Sequence, residues 1–382
     1  MVPAPPLSGM TGLLPEILAD IEALVGCESP SADLAALAAS ADLIARIGGR
    51  RLGAEPDRIV VDGRPHLRWR FGGGPPRVLL LCHHDTVWPA GTLARIPFGV
   101  TGGVLRGPGC FDMKAGLVLA LHAVAALTDR SGVSILVTAD EEIGSPSSRA
   151  LIEAEAAGCA AALVLEASAD GGALKTGRKG TSLYRVEAIG RAAHAGLEPE
   201  RGVNATVELA RQVLAVTAIA DPGRGTTVTP TLMSSGSTVN TVPATAELAL
   251  DVRAWEAGEQ DRVDAAVRAL TPALPGARLK ISGGPNRPPL EESASAALFD
   301  RADRLAARLG LAPLGRAAVG GGSDGNFTAG IGVPTLDGLG AVGGGAHADD
   351  EHVLIDQLAP RAALLTALIA DLLAGQEHGA DR

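Results

Sequence analysis

Aromatic side chains make up only 2% of the 382 residues, and lysine occurs only at positions 114, 175, 179 and 280, so arginine carries nearly all the positive charge. With Ala, Gly and Pro in excess, this bias follows genomic base composition more than function. Cys27, Cys82, Cys110 and Cys159 show no CxxC spacing. That excludes a disulfide framework and a thiolate zinc site, and the cysteines read as small buried hydrophobes. Positive charge is in deficit: a net charge of −10 and a pI near 5.3 argue against nucleic acid or an anionic membrane as the main partner. No window approaches the roughly 18 unbroken apolar residues of a membrane span, and the opening MVPAPPLSGMTG lacks a basic segment followed by an apolar one, so a cytoplasmic protein is expected.

The chain is longer than a single core usually supports, which predicts two domains. Apolar residues recur at helical spacing from Leu13 to Val25 and from Leu34 to Ile47. A strand at 78–82, a buried helix at 113–127, a strand at 134–139, a helix at 147–157 and a strand at 162–165 follow. This alternation predicts an α/β fold with a mostly parallel central sheet and helices on both faces. After Gly177 the pattern becomes strand 181–189, helix 203–217, strands 226–233 and 245–252, helix 263–270 and strand 278–281. That order, β-α-β-β-α-β, is ferredoxin-like. It places an inserted α+β domain at 178–287 inside a discontinuous first domain of residues 1–177 and 288–382, whose last part carries a helix at 294–309, a strand at 333–339 and a helix at 355–373.

The residues that carry chemistry stand where these apolar runs end. Val78 to Cys82 leads into His83, His84 and Asp85, Ser134 to Ala139 into Asp140, Glu141 and Glu142, and Ala162 to Leu165 into Glu166. Asp112 follows the turn Gly107-Pro108-Gly109, and His347 follows Gly343 to Gly345. In an open α/β sheet the carboxyl ends of the strands line one crevice, which gathers such groups. Singly, each admits a bland alternative: HxD is common, Asp112 can merely cap the next helix, and DEE can be a solvated turn. Together, His83, Asp112, Glu142, Glu166 and His347 make five ligands, enough for two zinc ions with three protein ligands each if Asp112 bridges them. Asp85 is the obvious acceptor for the second ring proton of His83. Of the adjacent Glu141 and Glu142, one can bind metal while the other takes a proton from water. His84 points away from His83 by strand alternation and reads as packing. His66, His122, His352 and His378 read as structural or solvent-exposed.

With these motifs in this order, the chain resembles, over nearly its whole length, the co-catalytic zinc exopeptidase and amidohydrolase family of glutamate carboxypeptidase, aminoacylase, acetylornithine deacetylase and succinyl-diaminopimelate desuccinylase. The resemblance implies that His83 of HHDTV is a ligand, Asp112 of GPGCFDMK the bridging ligand, Glu141 of TADEEIGS the general base, and Glu142, Glu166 and His347 the remaining ligands. It also implies that the inserted domain is a lid and dimerisation domain. In that domain His194 of RAAHAG would reach the partner subunit's site to steady the oxyanion, while Asn240 of STVNTVP and Arg287 of PNRPP would hold the substrate's free carboxylate. Glu166, HHDTVWPAGT and PNRPPLE resemble the glutamate carboxypeptidase branch, whereas His84 departs from the aliphatic, aromatic or Met residue common there.

The expected activity is hydrolysis of the amide bond of N-acyl amino acids or short peptides with a free, Glu-like C-terminal carboxylate. Two Zn2+ per chain, replaceable by Co2+ or Mn2+, would serve it in a homodimer. An aminoacylase or deacetylase of the same family is the first alternative. A catalytically silent amino-acid or peptide binder on the same fold is the second, and the presence of Glu141 and all the ligand positions argues against it.

Overall fold

A computed structural model describes residues 7–375; His378 and the first six residues of the opening segment lie outside the described residues. The chain divides into two compact units, Met1–Gly177 with Glu292–Val319 and Ser323–Arg382, and Arg178–Glu291 with Gly320–Gly322.

The first unit is built on a six-stranded sheet in the spatial order Asp57–Val61, Arg64–Arg70, Val133–Thr138, Val78–His83, Ala161–Val164 and Thr335–Leu336. The last four strands are parallel. Val78–His83 and Val133–Thr138 are buried at every position, as strands covered on both faces must be. Alternate residues feed separate cores: Leu80 and Cys82 join one apolar cluster, Leu79 and Leu81 another. Helix Ala115–Ala125, apolar nearly all round, is buried from Ala115 to Val124 and packs against the largely buried helix Leu358–Ala374.

The two outer strands of this sheet are antiparallel, so the sheet is mixed, and they form a hairpin that the apolar periodicity does not announce. Its turn is Asp62-Gly63, with φ of 50° and 78°. Asp-Gly is the favoured pair for such a two-residue connection, but RPHLRWR lacks the continuous apolar run of the central strands.

The second unit carries an antiparallel sheet in the order Thr227–Ser235, Thr245–Ala254, Gly180–Ile189 and Arg278–Arg287, with helices Ala205–Thr217 and Ala257–Arg268. This is the ferredoxin-like arrangement. Its own core joins Tyr184, Val186, Leu248 and Leu250 of the sheet to Leu209, Val216, Val263 and Val267 of the helices. Asn204 caps the first helix by accepting from Val207 N at 3.2 Å. The outer strand Thr227–Ser235 is largely exposed, with Leu232 at 74% and Met233 at 51%.

Candidate metal centre

His83 is the last residue of Val78–His83, Glu141 and Glu142 stand just past Val133–Thr138, and Glu166 just past Ala161–Val164. These strands are parallel neighbours, so all four side chains leave the same edge of the sheet. The backbone that carries Glu166 is held between two glycines. A Cβ on Gly116 would lie 2.0 Å from Leu165 O, and one on Gly340 would lie 2.2 Å from the same oxygen. Asp112 sits in the turn Cys110–Lys114 ahead of helix Ala115–Ala125, and the Asp112–Met113 peptide is cis. His347 closes the group from a turn after Gly343–Gly344, where its φ of 62° is unusual for a residue other than glycine.

Five side chains converge in two sets that share one carboxylate. His83 Nε2 lies 3.2 Å from Asp112 Oδ1 and 3.4 Å from Glu166 Oε1. His347 Nε2 lies 3.3 Å from Asp112 Oδ2 and 3.3 Å from Glu142 Oε2. Each set therefore holds one imidazole and two carboxylates, and Asp112 gives one oxygen to each.

These residues fit a pair of divalent cations on three counts. His83 Nδ1 donates to the carbonyl of Asp85 at 2.9 Å, so in the neutral ring the lone pair of Nε2 faces two carboxylate oxygens, an arrangement that only a proton or a cation can reconcile. Glu142 Oε1 is buried without a hydrogen-bond partner. Four ligands around zinc at about 2.0–2.1 Å stand about 3.3 Å from one another, and the observed spacings of 3.2–3.4 Å match that edge length. The donors are all nitrogen and oxygen. Cys82 and Cys110 are buried, and burial pushes both thiols up, away from the thiolate form.

Burial lowers the proton affinity of His83, but Asp112, Asp85 and Glu166 outweigh it and hold the imidazole well above its ordinary value. Asp112 and Glu142 push His347 up to about 10. Burial and the charge of Asp112 raise Glu142, against the contact with His347. Asp112 itself is driven strongly down: burial opposes ionisation, and the two imidazoles overcome it.

The carboxylate of Asp85 has a wider role than the one expected of it. The near acceptor of the His83 ring proton is the Asp85 carbonyl, while the carboxylate Oδ1 stands 3.5 Å away. That carboxylate instead accepts from Ser31 Oγ at 2.7 Å, Glu141 N at 3.1 Å and Glu142 N at 3.2 Å. One residue thus orients His83 through its backbone and the Glu141–Glu142 turn through its side chain. Burial works against its ionisation, yet His83 and Ser31 hold it below the ordinary carboxylate range. Glu141 is buried, with a carboxylate oxygen within 4.8 Å of donor atoms of both His83 and Glu166.

His84 stays outside the centre. Its Nε2 donates to Pro65 O and its Nδ1 accepts from Ser40 Oγ, both at 3.1 Å, and burial pulls it down to about 4, so it is a neutral packing residue. His66 bonds Ser147 and His122 bonds Asp20, both buried, while His352 turns to Asp350 O.

Three acids around the centre are given no role by the sequence, and two of them, Asp324 and Glu351, are not singled out there. Asp140 accepts from Ser147 N, Ser147 Oγ and Ser148 Oγ, and Asp324 accepts from Thr138 Oγ1 and Ser145 Oγ, so both brace the turn that carries Glu141 and Glu142. Glu351 is wholly buried behind Asp112. In sequence it is the end of an acidic run after His347, and nothing there separates it from its exposed neighbours Asp349 and Asp350.

In the second unit, His194 and Asn240 are adjacent. Ala193–His194 pairs with Thr241–Val242, and Ala195 N donates to Asn240 O at 2.9 Å. Both residues are exposed. His194 Nδ1 accepts from Gly196 N and Leu197 N at 3.1 and 3.2 Å, which leaves Nε2 to carry the proton of the neutral ring. Arg287 closes the strand Arg278–Arg287 and is buried, and its carbonyl accepts from Gln260 Nε2.

The sequence profile of peptidase family M20/M25/M40 matches residues 79–371, from the strand that ends in His83 to the last long helix. The chain belongs to this family. This M20 chain is 32% identical over 379 residues to carboxypeptidase G2 of Pseudomonas sp. strain RS-16, covering 95% of the chain and 90% of that protein. It is 29% identical to succinyl-diaminopimelate desuccinylase of Methylorubrum extorquens strain PA1, covering 89% of the chain and 94% of that protein. The fold is that of an M20 metallo-carboxypeptidase from Sulfolobus solfataricus, with a TM-score of 0.70 at 17% identity over 93% of this chain and 98% of the other. As an M20 member the protein is a metal-dependent peptidase or amidohydrolase.

Proposed function

We propose that the protein is a di-zinc carboxypeptidase that hydrolyses the amide bond of N-acyl amino acids or short peptides ending in a free, Glu-like carboxylate. The observation that carries the reading is the division of Asp112, whose Oδ1 faces His83 and whose Oδ2 faces His347. His83, Asp112 and Glu166 would hold one ion, His347, Asp112 and Glu142 the other. Bound there, such ions would supply Lewis acidity and a water acidic enough to lose its proton near neutral pH. Glu141, held by its backbone N–H against Asp85, accepts that proton and passes it to the leaving nitrogen. His194, its Nε2 kept protonated by the turn that follows it, donates to the developing oxyanion. Arg287 and Asn240 hold the substrate carboxylate, for which the guanidinium fork is suited.

The likeness to carboxypeptidase G2 over nearly the full chain supports the carboxypeptidase reading. An aminoacylase or desuccinylase activity is the second reading, supported by the desuccinylase relatives. A mass-spectrometric hydrolysis panel in which acyl group and amino acid vary independently separates them. Cleavage that tracks the amino acid supports the carboxypeptidase, cleavage that tracks a small or succinyl acyl group supports the second reading, and a metal-loaded protein that cleaves nothing sinks both.

We also propose a homodimer through the second unit. Among the described residues the strand Thr227–Ser235 stands at the edge of its sheet and exposes Leu232 and Met233, the surface that pairing with a second copy would cover.

A further inference from the structure

Glu351 takes no part in the metal sets, yet its carboxylate is among the most fully used in the chain. Oε1 accepts from Phe111 N at 2.9 Å and Asp112 N at 3.0 Å, and Oε2 accepts from Gly109 N at 2.8 Å and Trp88 Nε1 at 2.8 Å. Three of the four donors are backbone N–H groups of the one turn that presents Asp112. They converge on a single buried anion as the amides of a nest do. Glu351 is 1% exposed, so these bonds are made out of contact with bulk solvent.

The same residue is tied to the other end of the shared carboxylate. Glu351 N donates to Ala348 O and Ala348 N to Gly345 O, both at 2.9 Å, which folds residues 345–351 into a compact turn that also carries His347. A closed circuit results: Asp112 N to the Glu351 carboxylate, through that turn to His347, and from His347 Nε2 back to Asp112 Oδ2 at 3.3 Å. The orientation of Asp112 and the placement of His347 are therefore one geometric quantity.

We infer that Glu351 is a positioning residue that holds Asp112 so that its two oxygens divide between the two metal sets, and that it registers His347 to the second set. This rests on the metal-centre reading above. Glutamine preserves the shape of Glu351 but puts an NH2 donor against N–H donors, whichever way the amide is turned, so Glu351→Gln breaks the cradle with no change of volume.

The test measures metal affinity by chelator competition, independently of turnover, alongside kcat and KM. Glu351→Gln is expected to weaken metal binding about 10- to 100-fold, the range for groups that orient ligands. At saturating metal, kcat is expected to fall at least about tenfold and KM to change less than about twofold. Glu155 provides the control for mere structure: it too is a buried carboxylate of the first unit, bonded by Arg70 and Ser134 away from the metal centre. Glu155→Gln is expected to lower the melting temperature and leave metal affinity unchanged. If Glu351→Gln fails to fold, Glu351→Asp, which keeps the charge but draws it back by one methylene, takes its place with the same readouts and a smaller loss. Should the substituted protein bind metal as tightly as wild type and lose only melting temperature, Glu351 is structural and the inference fails. A wild-type protein that binds no metal would instead sink the reading of the metal centre.

Discussion

Asp112 Oδ2 and His347 Nε2 meet at 3.3 Å, joining the turn ahead of helix Ala115–Ala125 to the glycine-rich segment near the end of the chain. Because the other oxygen of Asp112 faces His83, loss of this one carboxylate bears on both proposed metal positions. Asp112→Ala is expected to remove both ions, and metal analysis after gel filtration will show it. Two tightly held ions in that protein would overturn the bridging role.

Glu141 and Glu142 are neighbours with different surroundings, and substitution should separate them. Glu142 Oε2 lies beside His347, whereas a Glu141 carboxylate oxygen groups with His83 and Glu166. Glu141→Gln is expected to keep both metals while turnover drops by about 10² to 10⁴. Glu142→Gln is expected to lose metal as well as activity. The reverse pattern would mean that base and ligand are exchanged.

Asp85 orients His83 through its carbonyl and the Glu141–Glu142 turn through its carboxylate. Asp85→Asn leaves the carbonyl and removes acceptor capacity, so metal affinity is expected to fall only at the lower end of a 10- to 100-fold range. The misplaced Glu141 should lower kcat further, measured at saturating metal. A large loss of metal with normal kcat per bound ion would return the ring-orienting role to the carboxylate.

The pH dependence follows from His347, raised from 6.5 to about 10 by Asp112 and Glu142. A folded-state value above the unfolded one stabilises the metal-free fold fully below pH 6.5, and this contribution is lost as the pH rises through about 10. The stability difference between metal-free wild type and His347→Gln, from urea unfolding, is therefore expected to be largest below pH 6.5 and to vanish above about 10. Metal needs the neutral ring, so loading at neutral pH should release protons, seen as a binding heat that varies with the ionisation enthalpy of the buffer. A pH-independent difference would show that His347 is not paired with these carboxylates.

The exposed edge strand predicts the assembly. Leu232→Asp with Met233→Asp is expected to turn a dimer into a folded monomer by light scattering; wild type that is already monomeric removes the proposal. If His194 serves the partner's site, mixing Glu141→Gln with His194→Ala under subunit exchange should restore up to about a quarter of wild-type activity, since half the dimers are mixed and each has one intact site of two.

The sequence by itself determined which residues meet and at which edge. Apolar runs that end in His83, in Glu141 and Glu142, and in Glu166 mark the carboxyl ends of parallel strands, and parallel strands bring their ends together whatever the intervening length. Alternation likewise separated His84 from His83, and the order of strands and helices after Gly177 spelled the ferredoxin-like unit. Periodicity says which face and which end a residue occupies; it does not say which atom meets which. Only the tertiary structure decided that the carbonyl of Asp85 is nearer to His83 Nδ1, at 2.9 Å, than its carboxylate, at 3.5 Å, and that Glu351 rather than its acidic neighbours turns inward to gather the amides around Asp112. The Glu351 bonds join segments far apart in the chain, and their partners are set by where buried N–H groups are left without a strand or helix to satisfy them.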